Sequence, residues 1–487
     1  MTDSPPAAAG ASRAPTTLGL GTKIVYGFGA VAPGAMANGF AYLLLFFYSQ
    51  VIGLSPELVS LALFVALMFD AVSDPLIGYL SDNFRSRWGR RHPFMYASAV
   101  PVALAYYFLW SPPALSEGAL LAYLIVLAVV IRIAFTLYDV PANALIAEFT
   151  EDYDELTRIV GFRYFFAWWG GLTMAVLAYL VFLPEERGGL LYAQGWRNYG
   201  LAASIIMFVA ILASCIGTHH RIPTLIQPAP REAGDEGFSL GRVGREIFDA
   251  LSNRSFLVLF VAALLSAAAQ GVSTTLSIYF TRHMWEFTTQ QIGVLQFPYY
   301  LSAFVALLLA PRLTVLFGKK RAAITIAALA FGLAPLPFVL RMLGLFPENG
   351  TDTLFWTMLV FNGFDVMLII CATILTTSMI ADVVEDSEVQ TGRRNEGVFF
   401  AANTFAQKSV NAVGVVVAGQ ILALVDFPQQ AEPGTVPEET VFDLAQAFIP
   451  TQWGLYLLAI IMLSLYRISR TSHAENLAKL GRRSAAA

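Results

Sequence analysis

Charged residues are scarce along this chain of 487 residues. Asp, Glu, Lys and Arg together make up 13% of the sequence, whereas soluble domains usually carry about 25%. The 30 basic and 34 acidic residues nearly balance, which leaves a formal net charge of −4. Because no part of the chain forms a basic domain, we expect no nucleic-acid partner.

Cysteine and histidine are also scarce, which limits the chemistry that the chain can support. Cys215 and Cys371 both lie in apolar segments, so we expect buried free thiols and no disulfide framework. The 5 histidines fall in loops or at the ends of apolar segments and lack the spacing of metal ligands. The sequence also has no nucleophile–base pair and no glycine-rich phosphate loop. We therefore expect no enzymatic activity, no cofactor, no resident metal and no ATP-driven transport.

Apolar residues are abundant and occur in long runs. Hydrophobic residues make up 57% of the chain and the mean hydropathy is +0.62. About 20 apolar residues suffice for a helix to cross a bilayer. The sequence predicts an all-α polytopic membrane protein with twelve transmembrane helices in two six-helix bundles. The predicted spans are 24–53, 56–82, 93–111, 118–147, 159–184, 197–217, 255–284, 288–317, 322–344, 353–384, 396–425 and 451–468.

The remaining segments suggest how the chain is divided. Residues 1–22 are rich in Pro, Ala, Ser and Thr without an apolar core, so they predict a disordered tail and not a signal peptide. Residues 218–254 are polar and turn-rich, and Leu240–Leu251 has one apolar face that fits a short interfacial helix. The predicted units are a tail at 1–22, a bundle at 23–217, a linker at 218–254, a bundle at 255–468 and a tail at 469–487.

Basic residues concentrate in alternate loops, for example 85–91, 319–321 and 393–394. Loops rich in Lys and Arg remain on the cytoplasmic side of a membrane. We therefore expect both termini to be cytoplasmic in an integral plasma-membrane protein, which in a bacterium is the inner membrane.

The two halves repeat a basic turn after their second span. Gly78-Tyr-Leu-Ser-Asp82 is followed by Gly89-Arg90-Arg91 in the first half, and Gly318-Lys-Lys-Arg321 lies at the equivalent place in the second. Six plus six spans with this repeat are typical of the major facilitator architecture, in which two bundles rock about a central site. We expect a gating role at the cytoplasmic side for the charged residues of the first turn, namely Asp82, Arg85, Arg87, Arg90 and Arg91.

Two acids interrupt the apolar run between Val59 and Leu80. Asp70 and Asp74 are four residues apart, so a helix places both on one face. Carboxylates at membrane depth are costly and usually mark a path for ions or protons. The pair therefore predicts a cation-coupled carrier.

Several motifs resemble the glycoside–pentoside–hexuronide:cation symporters, the melibiose permease family. These motifs are Phe69-Asp-Ala-Val-Ser-Asp-Pro75, Arg85-Ser-Arg-Trp-Gly-Arg-Arg91, Tyr138-Asp-Val-Pro141, Thr157-Arg-Ile-Val-Gly-Phe-Arg163 and Asp382-Val-Val-Glu385 with Thr391-Gly-Arg-Arg394. The resemblance runs from about Tyr26 to the last span. It implies secondary active transport of a glycoside, pentoside or hexuronide with a cation.

The resemblance also implies a cation site, formed by Asp70, Ser73, Asp74, Thr136 and Asp139. Carboxylate and hydroxyl oxygens suit a hard cation, so we expect Na⁺, with H⁺ as the alternative. Another interpretation remains open, in which the acids form static ion pairs with Arg163 or Lys408.

The predicted substrate site contains Asn38, Arg132, Asp139, Asn143, Arg163, Thr404 and Lys408. The resemblance implies Arg163 and Lys408 at the cavity, and polar side chains such as Asn38, Arg132 and Thr404 fall in the same volume. Melibiose-type members carry a sugar-binding aspartate where this chain has Gly34, and a ring-stacking aromatic where it has Asn143. We therefore expect a neutral galactoside not to be the best substrate. Arg132 is predicted to pair with Asp139, or alternatively to bind a uronate carboxylate. Asp365 matches none of these motifs and has no predicted role.

Two functional classes follow from this pattern. The first is a symporter of a sugar-like solute, and the alternative is a carrier of amphipathic substrates, either by lysolipid-like uptake or by drug efflux. A closed cavity rich in hydroxyls and amides would favour the first, and an apolar lateral opening would favour the second. We expect the partners to be a small solute and membrane lipid, and the protein to be a monomer.

Overall fold

A computed structural model describes residues 18–150, 153–225, 254–391, 413–432 and 434–466. The described residues form helices and connecting loops, without a β-strand. The predicted interfacial helix at Leu240–Leu251 and the first part of the predicted span 396–425 lie outside these ranges.

The first half of the chain contains helices α1 to α6. Their bounds are Leu20–Ile52 (α1), Pro56–Asn83 (α2), His92–Leu109 (α3), Glu117–Phe149 (α4), Tyr153–Leu177 (α5) and Ala193–His219 (α6). Two π-helical segments interrupt α1, at Gly39–Leu43 and Phe47–Ile52. The predicted spans of this half therefore each contain a helix.

The second half contains helices α7 to α12. Their bounds are Arg254–Met284 (α7), Thr289–Phe317 (α8), Lys319–Met342 (α9), Asp352–Thr391 (α10), Val413–Leu424 (α11) and Glu438–Ser464 (α12). Ten helices in the described part of the chain are long and apolar enough to cross a membrane.

The predicted start of the last span, residue 451, is wrong. Helix α12 begins at Glu438 and continues through Pro450. Proline usually ends a helix in water, but a membrane-type helix tolerates it because neighbouring groups satisfy the freed carbonyl. The acidic first turn, Glu438 and Glu439, is favourable because carboxylates stabilise the positive end of the helix dipole.

Helices pack mainly within their own half. In the first half α4 contacts α2 and α3, and α1 contacts α5 and α6. In the second half α10 contacts α8 and α9, and α12 contacts α7 and α9. This arrangement forms two bundles.

Close helix contact in the first bundle depends on glycine. A Cβ atom on Gly34 of α1 would lie 1.9 Å from the carbonyl oxygen of Ala167 on α5, and one on Gly170 would lie 2.8 Å from the Cα of Val31. A side chain at Gly34 would therefore collide with the backbone of α5. This position lies in the α1–α5 contact, which explains why the chain has no acid there.

The two bundles contact one another at the end of the molecule that we call the closed end, formed by loops 53–55, 183–192, 285–288 and 425–432. Arg282 Nη2 donates to Glu185 Oε1 at 2.7 Å across the two halves. Gln50 Oε1 accepts from the backbone N–H of Ala431 at 3.0 Å. The hydroxyls of Ser49 and Tyr279 lie 2.6 Å apart. Buried polar contacts of both chain halves therefore join the bundles at this end.

The opposite end, which we call the basic end, carries the arginine and lysine turns at 85–91 and 319–321. The ion pairs that the structure describes there stay within one bundle. Lys23 pairs with Glu155 and Arg91 with Glu148 in the first half, and Lys319 pairs with Asp382 in the second.

Candidate functional site

The acids of α2 face α4 at the middle of the first bundle. Asp70 is 6% exposed, Ser73 is 7% exposed and Thr136 of α4 is 3% exposed. The four-residue spacing of Asp70 and Asp74 puts both on the α4 side of the helix, and α2 and α4 pack along each other. Asp70, Ser73 and Asp74 thus lie beside Thr136 on the α4 side of α2, and their assignment to a cation stays a prediction.

Thr136 links the oxygens of this cluster. Its hydroxyl donates to Asp74 Oδ1 at 2.9 Å and lies 3.2 Å from the hydroxyl of Ser73. The result is a continuous set of carboxylate and hydroxyl oxygens between two helices. Such oxygens are the ligands that hard cations prefer.

Arg132 forms an ion pair with the first acid of the cluster. Its Nη1 atom lies 2.9 Å from Asp70 Oδ2, and both side chains are about nine-tenths buried. The predicted pairing of Arg132 with Asp139 is therefore wrong. Seven residues put the two on the same face of α4 but about 10 Å apart along its axis, whereas Asp70 lies beside Arg132 on the neighbouring helix.

Asp139 instead pairs with Arg163 of α5. Arg163 Nη2 lies 3.0 Å from Asp139 Oδ1. Among the described residues no group of three or more His, Cys, Asp or Glu side chains lies close enough to share a metal ion, so Asp139 does not join Asp70 and Asp74 in one cluster. Within the described ranges Arg163 pairs with Asp139 and Arg132 with Asp70. Lys408, the other predicted partner of the acids, lies outside these ranges.

Two aromatic rings of α1, which the sequence reasoning missed, cover these arginines. The guanidinium of Arg132 lies 4.6 Å from the ring centre of Phe40, and that of Arg163 lies 5.4 Å from the ring centre of Tyr26. A cation over an aromatic face is stabilised by the ring quadrupole. The 14-residue separation of Tyr26 and Phe40 is two heptads, which could have indicated that both lie on one face of α1.

A cavity of about 170 Å³ lies between the bundles. Amide and hydroxyl side chains and aromatic rings supply most of its polar and flat surface. These residues are Asn38, Tyr42, Trp168, Tyr179, Gln270, Ser273, Thr274, Ser277, Thr281, Gln296, Tyr299, Asn362 and Asp365. Asp365 is the charged residue in the described part of this lining.

The predicted substrate residues divide into three groups. Asn38 lines the cavity. Arg132, Asp139 and Arg163 lie in the two ion pairs, and Asn143 is exposed on α4 and is not part of the lining. Thr404 and Lys408 lie outside the described residues. The assignment of these residues to substrate stays a prediction.

The charged turn at the basic end is held by an acid that the sequence reasoning missed. Arg90 and Arg91 both donate to Oε1 of Glu148, which is 4% exposed at the end of α4. Arg91 also pairs with Asp82. Arg85 and Arg87 are exposed. The turn therefore ties α2, α3 and α4 together.

Comparisons with known proteins agree with this fold. Residues 25–470 match the family model described as MFS/sugar transport protein. The chain is 25% identical to an inner membrane symporter of Escherichia coli (strain K12), over 94% of this chain and 93% of that protein. It is 21% identical to the isoprimeverose transporter of Lactiplantibacillus pentosus, over 78% and 75% of the two chains.

A solved structure shows the same fold at low sequence identity. The xylose transporter of E. coli, in an inward open conformation, aligns with a TM-score of 0.61 and 14% identity over 94% of this chain and 98% of that one. Both are therefore helical proteins of the major facilitator fold.

Proposed function

Because the chain belongs to the MFS/sugar transport protein family, the glycoside–pentoside–hexuronide:cation branch of the major facilitator superfamily, we propose that it couples the uptake of a neutral, hydroxyl-rich solute to Na⁺. The chain is an integral membrane transporter of sugar-like solutes and not an enzyme. The identity of the coupling ion and the neutral charge of the solute are what we propose.

The hydrogen bond from Thr136 to Asp74 carries the proposal for the ion. It holds a hydroxyl and a carboxylate 2.9 Å apart beside the buried hydroxyl of Ser73, one helical turn from Asp70. A proton needs a single carboxylate, whereas Na⁺ needs several oxygens around it (by extension from the oxygen-rich sites of other hard cations). The neutral hydroxyls of Ser73 and Thr136 therefore favour Na⁺ over H⁺.

Arg132 supplies a route from ion binding to conformational change. Arg132 forms an ion pair with Asp70 in this structure, and its buried Nε atom has no hydrogen-bond partner in the described chain. Two carboxylates one helical turn apart repel by about 3 kcal/mol at an effective dielectric of about 20. A bound Na⁺ would offset this repulsion and free Arg132 to find other partners. Linkage then requires ion and solute to raise each other's affinity by the same factor.

The composition of the central cavity supports a neutral solute. Its lining offers amides and hydroxyls, together with the rings of Tyr42, Trp168 and Tyr299. Such sites bind sugars through several hydrogen bonds and a flat apolar contact. We place Asn38 and the other lining residues in contact with solute. Asp139 and Arg163 form an ion pair with each other and are not part of the lining.

In the proposed orientation the protein spans a bacterial-type inner membrane, and its basic end faces the cytoplasm. The arginine and lysine turns at 85–91 and 319–321 support it through the positive-inside rule. The closed end then faces outside, and the contact between Glu185 and Arg282 corresponds to a carrier open towards the cytoplasm.

A second cavity favours the alternative, a carrier of amphipathic molecules. It has a volume of about 190 Å³, adjoins the central cavity through Gln270 and Ile369, and is lined mostly by small apolar residues of α7, α9 and α10. An acyl chain would fit such a surface. Uptake of a lysolipid that exceeds the uptake of every neutral sugar would favour this alternative.

Sodium itself is the probe for the central claim. In the purified protein we expect NaCl, compared with choline chloride, to raise the melting temperature, and Asp74→Cys to abolish this rise because it removes a ligand. Asp352→Asn removes the same charge from an exposed position at the start of α10 and should leave the rise unchanged. Sodium-driven solute accumulation that survives in Asp74→Cys would refute sodium binding at this cluster.

A further inference from the structure

Asp365 lies in the first half of α10, on the wall of the central cavity contributed by the second bundle. Asn362, Val366 and Ile369 line the same wall, because residues three, four and seven positions apart share one helical face. Asp365 is therefore directed into the cavity by the register of α10.

The carboxylate of Asp365 differs from the other acids at membrane depth. Its Oδ1 atom is buried without a hydrogen-bond partner, and within the described ranges neither oxygen has a hydrogen bond or an ion pair. In contrast, Asp70 is paired with Arg132 and Asp139 with Arg163. Asp74 accepts a hydrogen bond from Thr136. Among the described residues the fold thus gives Asp70, Asp74 and Asp139 partners and leaves Asp365 open to the cavity.

A buried polar group without a partner costs about 1–3 kcal/mol, and more when it is charged. An ionised carboxylate only accepts hydrogen bonds, and its two oxygens can accept from two neighbouring donors. The cavity lining described here holds no basic side chain. A molecule that enters the cavity can supply the donors that the described lining leaves missing.

We propose that Asp365 is a solute-binding residue that accepts hydrogen bonds from two neighbouring hydroxyls of a neutral sugar. This proposal rests on the proposed function and narrows its substrate class. A pair of adjacent hydroxyls matches the two oxygens of a carboxylate, whereas a uronate would bring a second negative charge to the same wall. Gln270 and Asn362 line the same cavity and can bind the remaining hydroxyls.

Binding measurements on the purified full-length protein test the assignment. The probes are D-xylose, D-galactose, isoprimeverose, lactose, D-glucosamine and D-glucuronate, each in NaCl. For the neutral sugar that binds the native protein most tightly, Asp365→Asn should raise Kd by about 10- to 100-fold, since hydrogen bonds to a charged group are lost. Asp352→Asn, on the same helix but exposed, should leave Kd unchanged.

Deoxy analogues of that sugar separate direct contact from a structural effect. Removing a hydroxyl bound by Asp365 should weaken binding to the native protein about tenfold and weaken binding to Asp365→Asn much less, as expected of interacting groups in a double-mutant cycle. The melting-temperature rise in NaCl should persist in Asp365→Asn. Asp365→Glu retains the charge and serves as a second variant, with an intermediate loss, should the Asn variant fail to fold.

Each outcome has a distinct meaning. An unchanged Kd in Asp365→Asn, or deoxy analogues that weaken binding equally in both proteins, would overturn the role of Asp365 and leave the proposed function intact. Tighter binding of D-glucuronate or D-glucosamine than of every neutral sugar would overturn the hydroxyl assignment. A native protein that binds no sugar of the panel would count against the proposed function, and the role of Asp365 would fall with it.

Discussion

Thr136 is the residue on which the oxygen cluster of α2 and α4 depends. It is buried, and its hydroxyl contacts both Asp74 and Ser73. Thr136 therefore links a carboxylate and a hydroxyl of α2 that are both ligands of the proposed ion. Its hydroxyl is therefore a better subject for substitution than either charge.

We predict that Thr136→Val weakens Na⁺ binding about tenfold while the protein still folds. Valine has nearly the same shape but lacks the hydroxyl, and losing one ligand or hydrogen bond of about 1.4 kcal/mol corresponds to a factor of ten. The measurement is the NaCl concentration that gives half of the rise in melting temperature. Thr136→Ser retains the hydroxyl and is the matched control; equal sodium dependence in the Val and Ser variants would contradict a ligand role.

At this scale the sequence predicted the members of the cluster better than their partners. The acids Asp70 and Asp74 stand out in an apolar run, and their spacing places them on one face. The partner of Arg132 depends on the axial offset between α2 and α4, which no spacing within one helix reveals. The partner of Arg132 is therefore Asp70 of the neighbouring helix, and not Asp139 as the sequence predicted.

Among the elements, α1 and α5 show how far glycine sets the distance between helices. Gly34 and Gly171 face one another, since a Cβ on Gly171 would lie 2.8 Å from the carbonyl oxygen of Gly34. Gly21 of the same α1 helix has nothing within 4 Å of its Cβ position. Two glycines of one helix thus differ completely in what a side chain would meet.

We predict that Gly34→Ala lowers stability by about 1–3 kcal/mol, the range for overpacking a tight contact. The 1.9 Å approach to the carbonyl oxygen of Ala167 involves backbone, so α1 and α5 must separate to admit the methyl group. The matched control, Gly21→Ala, should leave stability equal or slightly higher. Thermal unfolding in detergent checks the pair, and equal melting temperatures for both variants would refute the contact.

Helix existence was predictable because long apolar runs are unambiguous, whereas the helix limits were not. The predicted span 353–384 corresponds to an observed helix at Asp352–Thr391, and the predicted span 451–468 corresponds to one at Glu438–Ser464. Hydropathy identifies the segment that is apolar enough to lie in the bilayer. The helix itself continues past this segment wherever its backbone hydrogen bonds persist. Polar residues such as Glu438 and Glu439 therefore extend α12 beyond the run that the hydropathy pattern detects.

For the whole molecule, the contact at the closed end decides how the bundles can move apart. Glu185 accepts from the side chain and backbone N–H of Thr289 and from Arg282, all in the second half. The sequence could not predict this contact, because Glu185 lies in a short loop whose partners are about a hundred positions away. The two-bundle architecture was predictable from the span count and the repeated basic turn, but the end at which the bundles meet was not.

The pKa of Glu185 gives this contact a defined pH dependence. Burial alone would raise the pKa of this carboxyl, but hydrogen bonds from Thr289 and the charge of Arg282 outweigh burial and lower the pKa below its ordinary value of 4.5. A depressed pKa in the folded state means that the contact contributes fully above about pH 4.5 and is lost as the pH falls through the lowered value.

We therefore predict that Glu185→Gln opens the closed end more often at neutral pH. The side chain is about one-third exposed, so the loss is modest, and labelling of a cysteine introduced at Ser49 by a membrane-impermeant maleimide should become about two- to fivefold faster. Ser49 is fully buried beside Tyr279, so its labelling reports separation of the bundles. Protein that contains only Cys215 and Cys371 provides the background.

The matched control is Glu186→Gln, a change at an exposed neighbour, which should leave the labelling rate unchanged. Because acid slows the labelling of every thiol, rates are compared between native protein and variant at the same pH. The ratio of the native rate to the variant rate should rise towards one as the pH falls below 4.5. Labelling that is equally fast in all three proteins at neutral pH would show that Glu185 does not hold the bundles together.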